Sequence, residues 1–217
     1  MLERYIQRLS VFDAGLEEPA ATRERLKDRF PRGATRRMTQ LGLLIGAALD
    51  DVGPSPDDTV VYASAYAESR ALEGYLDSFP SASPTLFQTS IHPSAVQQAL
   101  IGRQQAIREF FPMTGGVHLP AHALQAALLS PAPRALLCGG EERATWLLEH
   151  RVASDRCFAF ALALTADATG AVGRITLATT DEPAVEFTLA DFFDVLLARQ
   201  PLTCNAAPGL RLTVDWF

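Results

Sequence analysis

The apolar positions of Met38–Gly53, MTQLGLLIGAALDDVG, recur at helical spacing, with Leu41, Leu44, Ile45 and Leu49 on one stripe. Small residues beside that stripe, Gly42, Gly46, Ala47 and Ala48, predict a helix packed closely on its neighbour, and Gly53-Pro54 predicts its stop. The period then changes. Val60, Val61 and Tyr62 form a short β run, and Ala71, Leu72, Tyr75 and Leu76 return to a helical face. Ser90 or His92 opens a further helix, with Pro93 in its first turn and Ala95, Val96, Ala99 and Leu100 on its face. IREFFPM, Ile107–Met113, reads as a strand. HLPAHALQAALL, His118–Leu129, is a helix apolar nearly all round, the pattern of burial on several sides. APRALLCGGEE, Ala132–Glu142, is a strand ending at Gly139-Gly140.

The last third is β-rich. Cys157–Asp167 and Gly173–Thr180 read as two strands joined by ATGAVG as a hairpin. Leu189–Gln200 is an amphipathic helix with Leu189, Phe192, Phe193, Leu196 and Leu197 inward, and Leu210–Phe217 closes the chain as a strand. Strands that alternate with helices predict an α/β domain, layered α-β-α, with a mainly parallel sheet and an antiparallel hairpin at its C-terminal edge. One domain spans residues 1–217, with residues 1–34 as a peripheral, mobile start and 158–217 as the β-rich portion.

Composition narrows the function classes. Apolar residues make up 48% and charged residues 20%, the balance of a globular chain long enough to bury a core. The net charge of −6 argues against nucleic acid as a partner. Cys138, Cys157 and Cys204 are odd in number and widely spaced, which reads as reduced thiols and not a disulfide or zinc framework. No apolar run approaches a membrane span and MLERYIQRLSVFD has no signal-peptide core, so a cytoplasmic protein is expected.

Against the acidic whole, Arg23, Arg25, Lys27, Arg29, Arg32, Arg36 and Arg37 form a basic segment. It is either a solvated surface or a docking patch for an acidic partner. Candidate chemistry centres on FFPMTGGVHLPAH, Phe110–His122, a strand-to-helix turn. Thr114 is a candidate nucleophile there, with His118 or His122 as its base, and Ser90 near His92 is a second pair. The plainer reading makes Gly115 and Gly116 turn residues and the histidines packing groups. His118 and His122 have the i,i+4 spacing of metal ligands, but Pro120 lies between them and no third ligand is evident, so no metal and no cofactor are expected. Cys138 reads as a small hydrophobe, and Glu141-Glu142 as a solvated helix start, with an acid pair at a strand end as the alternative.

The order of segments resembles the N-terminal half of β-ketoacyl synthases, in the thiolase-like fold. RRMTQLGLLIGAALDDVG is similar to that family's helix ending in D-A-G, and TVVYASAYAESRALEGYLDSF to its strand-turn-helix V-G-V-x-x-G-T-x-x-G, with Ala and Tyr in place of glycines. SIHPSAVQQALIGRQQ resembles the S-x-x-N-x-x-A-G segment, and ALQAALLSPAPRALLCGGEE the helix, loop and strand ending in A-G-G. The likeness covers about residues 35–165 and is nearest to short stand-alone ketosynthase-like proteins of aryl polyene and type II fatty-acid-like pathways.

The resemblance implies a nucleophilic cysteine at Met113–Gly116, where the chain has none, and two catalytic histidines in a C-terminal half beyond these residues. A decarboxylative condensation needs that thiolate and those imidazoles. The expectation is therefore a non-catalytic accessory protein with a degenerate elbow at Met113, Thr114, Gly115 and Gly116. It would act through a ketosynthase or an acyl carrier protein in a polyketide- or fatty-acid-like pathway. An acyl thioester transferase or hydrolase using Thr114 or Ser90 is the alternative, and an acyl-chain binding protein a third reading. A half-fold would also leave its central helix layer uncovered on one side unless the β-rich portion, residues 158–217, partly covers it; a homodimer or a heteromer with a ketosynthase or chain-length-factor-like subunit is expected.

Overall fold

The predicted helix at Met38–Gly53 forms as α2 (Gln40–Val52), and its ends follow from side-chain chemistry. The Thr39 hydroxyl accepts from the Gly42 N–H at 2.9 Å, and Gly53 closes the helix in the left-handed region at φ 65°. The other helices are α1 (Pro19–Leu26), α3 (Ser69–Asp77), α4 (Pro84–Ser90), α5 (Ser94–Gly102), α6 (Leu119–Leu129) and α7 (Leu189–Ala198). The strands are β1 (Leu2–Gly15), β2 (Thr59–Ala63), β3 (Glu109–Met113), β4 (Arg134–Glu141), β5 (Cys157–Thr165), β6 (Gly173–Thr179), β7 (Leu202–Ala207) and β8 (Leu210–Trp216). All come from a computed structural model that describes Met1–Phe217.

The eight strands form one sheet in the order β3-β2-β4-β5-β1-β6-β8-β7. It is mostly antiparallel, which corrects the expectation of a mainly parallel sheet: only β2–β3 and β2–β4 run parallel, against five antiparallel pairs. Helix-strand alternation governs the middle of the chain alone. The expected hairpin is also corrected. β5 and β6 do not pair with each other, because β1 lies between them and pairs with both. The C-terminal hairpin is β7–β8, turning at Gly209 with φ 76°.

Residues 1–34 are accordingly no peripheral start. β1 is an interior strand of fourteen residues. Its signal is masked by Arg4, which sits at a buried position with 7% exposure and donates to the carbonyls of Ser130 at 2.6 Å and Ala132 at 3.1 Å. A charge at an inward position can be held only when such acceptors surround it, and local patterning does not reveal them.

Helices cover both faces. α2, α5 and the end of α1 pack on Val60, Tyr62, Leu136 and Cys138, and the alanines Ala159, Ala161 and Ala163 of β5 let α2 approach closely. On the other face α6 and α7 cover Val61, Ala63, Leu137, Phe158 and Phe160. Phe158 stacks on Phe193 of α7 at 4.5 Å between centroids, and Phe160 meets Phe192 edge-on at 5.5 Å. Of the two covers expected for the central helix, the β-rich portion supplies one. α6 lies in a core shared with α7, β7 and β8, and along its length only His122 and Leu129 are exposed.

Candidate functional site

The three strands β3, β2 and β4 are parallel, so the loops after them open at the same end of the sheet. Crevices outside the carboxyl ends of parallel strands are where α/β sheets present ligand sites. Here the loops Ser64–Glu68, Thr114–His118 and Glu141-Glu142 converge. They border a cleft of about 610 Å³ whose walls include Tyr66, Val117, Glu141, Arg151, Asp155 and Leu189.

The β3–α6 turn is the elbow predicted from the sequence. Met113 is half-buried, while Thr114, Gly115, Gly116 and Val117 are exposed. The Thr114 hydroxyl makes one long bond to the Ala65 carbonyl at 3.5 Å. His118 does not face it: its Nδ1–H donates to the Ala206 carbonyl at 2.9 Å, and its backbone, at φ 74°, opens α6 from the left-handed region. His122 is exposed on α6. No hydrogen bond joins Thr114 to a histidine, so nucleophile and base are not brought together in this arrangement.

Ser90 and His92 are likewise apart. The Ser90 hydroxyl donates to the Phe87 carbonyl at 2.9 Å. His92 stacks on Tyr62 with centroids 4.9 Å apart, and burial pushes its imidazole pKa down. His150 ends a short 3-10 turn beside Trp146.

The basic segment is largely neutralised within the chain. Arg25 pairs with Glu17 at 2.7 Å, Lys27 with Glu24, and Arg29 with Asp50 and Asp51. Arg23 donates to the carbonyls of Thr35 at 3.3 Å and Met38 at 3.1 Å. Arg32, Arg36 and Arg37 are exposed and have no salt bridge.

The end of β4 departs from the sequence expectation. Glu141 and Glu142, read as a solvated helix start, are 3% and 2% exposed. Glu141 accepts from the Ala65 N–H at 2.6 Å, the Tyr66 N–H at 3.0 Å and the Ser64 hydroxyl at 3.0 Å. Glu142 accepts from the Gln40 N–H at 3.1 Å and the Ala71 N–H at 3.3 Å, tying together the starts of α2 and α3. Two further buried glutamates act in the same way. Glu68 accepts from Ser94 and Ala95 at the start of α5, and Glu73 from the N–H groups of Thr145 at 2.7 Å and Leu147 at 2.8 Å. Burial raises Glu68 and Glu141 to about 7, with the hydrogen bonds opposing it, and raises Glu142 as well.

Gly139 and Gly140 let β2, β5 and α2 approach the end of β4 closely. A Cβ on Gly139 would stand 2.7 Å from the Ala63 carbonyl oxygen and 2.7 Å from the Phe160 ring, and one on Gly140 would meet Leu41 at 2.9 Å. Cys138 and Cys157 are buried, and burial pushes both thiols up, Cys157 to about 12. Neither has the low-pKa setting of a reactive cysteine.

No protein-family model and no curated protein matches the chain. Solved structures do. One chain of a ketosynthase in complex with its chain length factor from Xenorhabdus doucetiae superposes with a TM-score of 0.69 at 17% identity, covering 99% of this chain and 100% of that one. The chain has the thiolase-like fold of ketosynthases. The ishigamide ketosynthase/chain length factor gives a TM-score of 0.60 at 15% identity, over 82% of this chain and 68% of its own. A complex of a type II polyketide synthase acyl-carrier protein with its ketosynthase gives 0.56 at 9%, over 84% and 71%. The Met113–Gly116 turn leads from β3 towards α6 and contains no cysteine. No helix is long and apolar enough to cross a membrane.

Proposed function

We propose that this chain is a non-catalytic ketosynthase-like subunit that works by pairing with a ketosynthase or chain-length-factor-like partner in a polyketide- or fatty-acid-like pathway, such as aryl polyene synthesis. The observation that carries the reading is the free edge of β3, directly before the elbow. β3 is bonded to β2 on one side only, and Phe111, on the face of Val61, is 47% exposed. An open, apolar edge is a template for another chain. The Met113 carbonyl accepts from the Ser64 N–H, so by alternation Pro112 points its missing N–H to the open side. That choice limits indiscriminate pairing and leaves Phe111 for a partner shaped to take it.

Similar solved structures include ketosynthases assembled with a chain length factor and with an acyl-carrier protein, which supports this choice of partner. A carrier protein is a further partner in this reading, and its docking would rest on Arg32, Arg36 and Arg37.

The test is co-expression with a ketosynthase from the same gene neighbourhood, followed by size-exclusion chromatography with light scattering. A stable heteromer lost on Phe111→Glu is expected. A monomer that retains no ketosynthase would overturn the reading, and a homodimer lost on Phe111→Glu would replace the partner by a second copy. Intact-protein mass spectrometry after incubation with acyl-carrier thioesters completes it. An acyl adduct on Thr114 or Ser90 would restore the transferase or hydrolase reading.

A further inference from the structure

The segment Ala144–Asp155 joins β4 to β5 and is built apart from the rest of the chain. Its backbone closes on itself. The Ala144 N–H donates to the Ser154 carbonyl at 3.2 Å, and the short turn Trp146–His150 is closed by the Arg151 N–H on the Leu148 carbonyl at 3.0 Å. Its apolar side chains Ala144, Leu147 and Ala153, with Trp146 and Leu148, form a cluster separate from the two cores that cover the sheet. To that cluster α3 adds Leu72. A surface loop whose ends meet and whose own side chains pack together is an Ω-like unit, a form often tied to function.

One carboxylate fastens the unit to the body. Glu73 of α3, 3% exposed, accepts from the Thr145 N–H at 2.7 Å, the Leu147 N–H at 2.8 Å and the Thr145 hydroxyl at 2.9 Å. Every hydrogen bond from Ala144–Asp155 to another helix or strand ends on Glu73. Within the unit the Trp146 indole N–H is buried without a partner. An unpaired buried donor costs the docked state free energy. With so few apolar contacts to the body, the unit belongs at the low end of local stability.

The same segment supplies Leu148, Arg151, Ala153, Ser154 and Asp155 to the lining of the elbow cleft of about 610 Å³. The remaining lining is firmly held: Glu141 has three donors, and Leu189 is buried in the core with α6 and α7. The segment is therefore the part of the wall free to move without disturbing the sheet.

We propose that Ala144–Asp155 is a lid on the elbow cleft, hinged at the Ala144–Ser154 backbone bond and latched by Glu73. Release of the Thr145 and Leu147 N–H groups from the carboxylate swings the unit outward as one piece and opens the cleft. Re-forming those bonds closes it. Lids of this kind sequester whatever a cleft holds. The inference does not rest on the pairing proposed through β3, which uses another edge of the molecule.

The experiment is native-state hydrogen exchange of the full chain, read by NMR at single amides. In the unaltered protein Thr145 and Leu147 should exchange through an opening that mild urea hardly accelerates, while the β4 and β5 amides wait for global unfolding. Glu73→Ala should speed exchange at Thr145 and Leu147 about tenfold or more and leave the hinge amide of Ala144 protected. Glu73→Gln, which keeps one acceptor, should fall between. Access to the cleft is read separately in a Cys204→Ser background, since Cys138 and Cys157 are buried. There Ala190→Cys, on the cleft lining, should react with a bulky maleimide about tenfold faster once Glu73→Ala is added. Gln97→Cys, on the exposed side of α5, should keep its rate. Exchange of Thr145 and Leu147 in step with β4 and β5, or unfolding of the whole chain by Glu73→Ala, would overturn the proposal. So would an Ala190→Cys rate that the latch does not change.

Discussion

The chain contains two diglycine steps at strand ends, Gly115-Gly116 after β3 and Gly139-Gly140 in β4, and they do opposite things. At the first a Cβ on Gly116 would meet nothing within 4 Å, and one on Gly115 would make only ordinary contact with Leu119 at 3.6 Å. At the second a Cβ would collide with the backbone of β2 and β5. The residues after each pair differ too. The first leads into exposed Val117, and the second into Glu141, which three donors hold. The end of β4 is thus tightly built, while the turn after β3 is open and loosely bonded.

The largest effect should come from Glu141→Ala, which strands the Ala65 and Tyr66 N–H groups and the Ser64 hydroxyl. A loss of about 3 kcal/mol or more in urea unfolding is expected. A small loss would mean that water replaces the carboxylate, and the contrast between the two ends would fail. Gly140→Ala should cost about 2–3 kcal/mol by overpacking against Phe158 and Leu41, and Gly116→Ala should fall within about 0.5 kcal/mol. Equal effects at the two glycines would erase the comparison most directly.

Glu68 and Glu141 hold their protons to about 7, whereas an unfolded glutamate releases its proton near the ordinary value of 4.5. Between those values the folded chain binds more protons, so stability falls as pH rises from about 4.5 to about 7, by about 1–3 kcal/mol per carboxyl. Urea midpoints measured across that window should decline, and Glu141→Gln should flatten the slope. Thr114→Ala sits at the small end. Its single long bond predicts a change within about 0.5 kcal/mol and an unchanged Tm.

Sequence carried the fold where the period was local. α2, α7 and the β2 and β4 runs could be read because Leu41, Leu44, Ile45 and Phe192, Phe193, Leu196 face one way over a few turns. The elbow was readable for the same reason, as a glycine-rich turn between a strand and a helix. β1 was not, since Arg4 interrupts its inward face and its carbonyl partners come from Ser130 and Ala132, far along the chain. β7, LTCNAA, is short and most of its apolar residues are small, so it does not stand out. The buried glutamates were missed because acidic residues are rarely buried unless paired, and their partners are backbone N–H groups contributed by other elements. The dense Gly-Gly-Glu-Glu run at a strand end was the available signal.

The insertion of β1 between β5 and β6 also has a consequence for synthesis. Both of its neighbours begin after Arg156, so Leu2–Gly15 leaves the ribosome long before either exists. A fourteen-residue strand with two unpaired sides must wait for nearly three-quarters of the chain to emerge. Pairings this distant in sequence form slowly and leave edges open to other chains in the meantime. The sheet can close only late, and a nascent chain stalled before β6 should be held by chaperones and be sensitive to protease along its whole length.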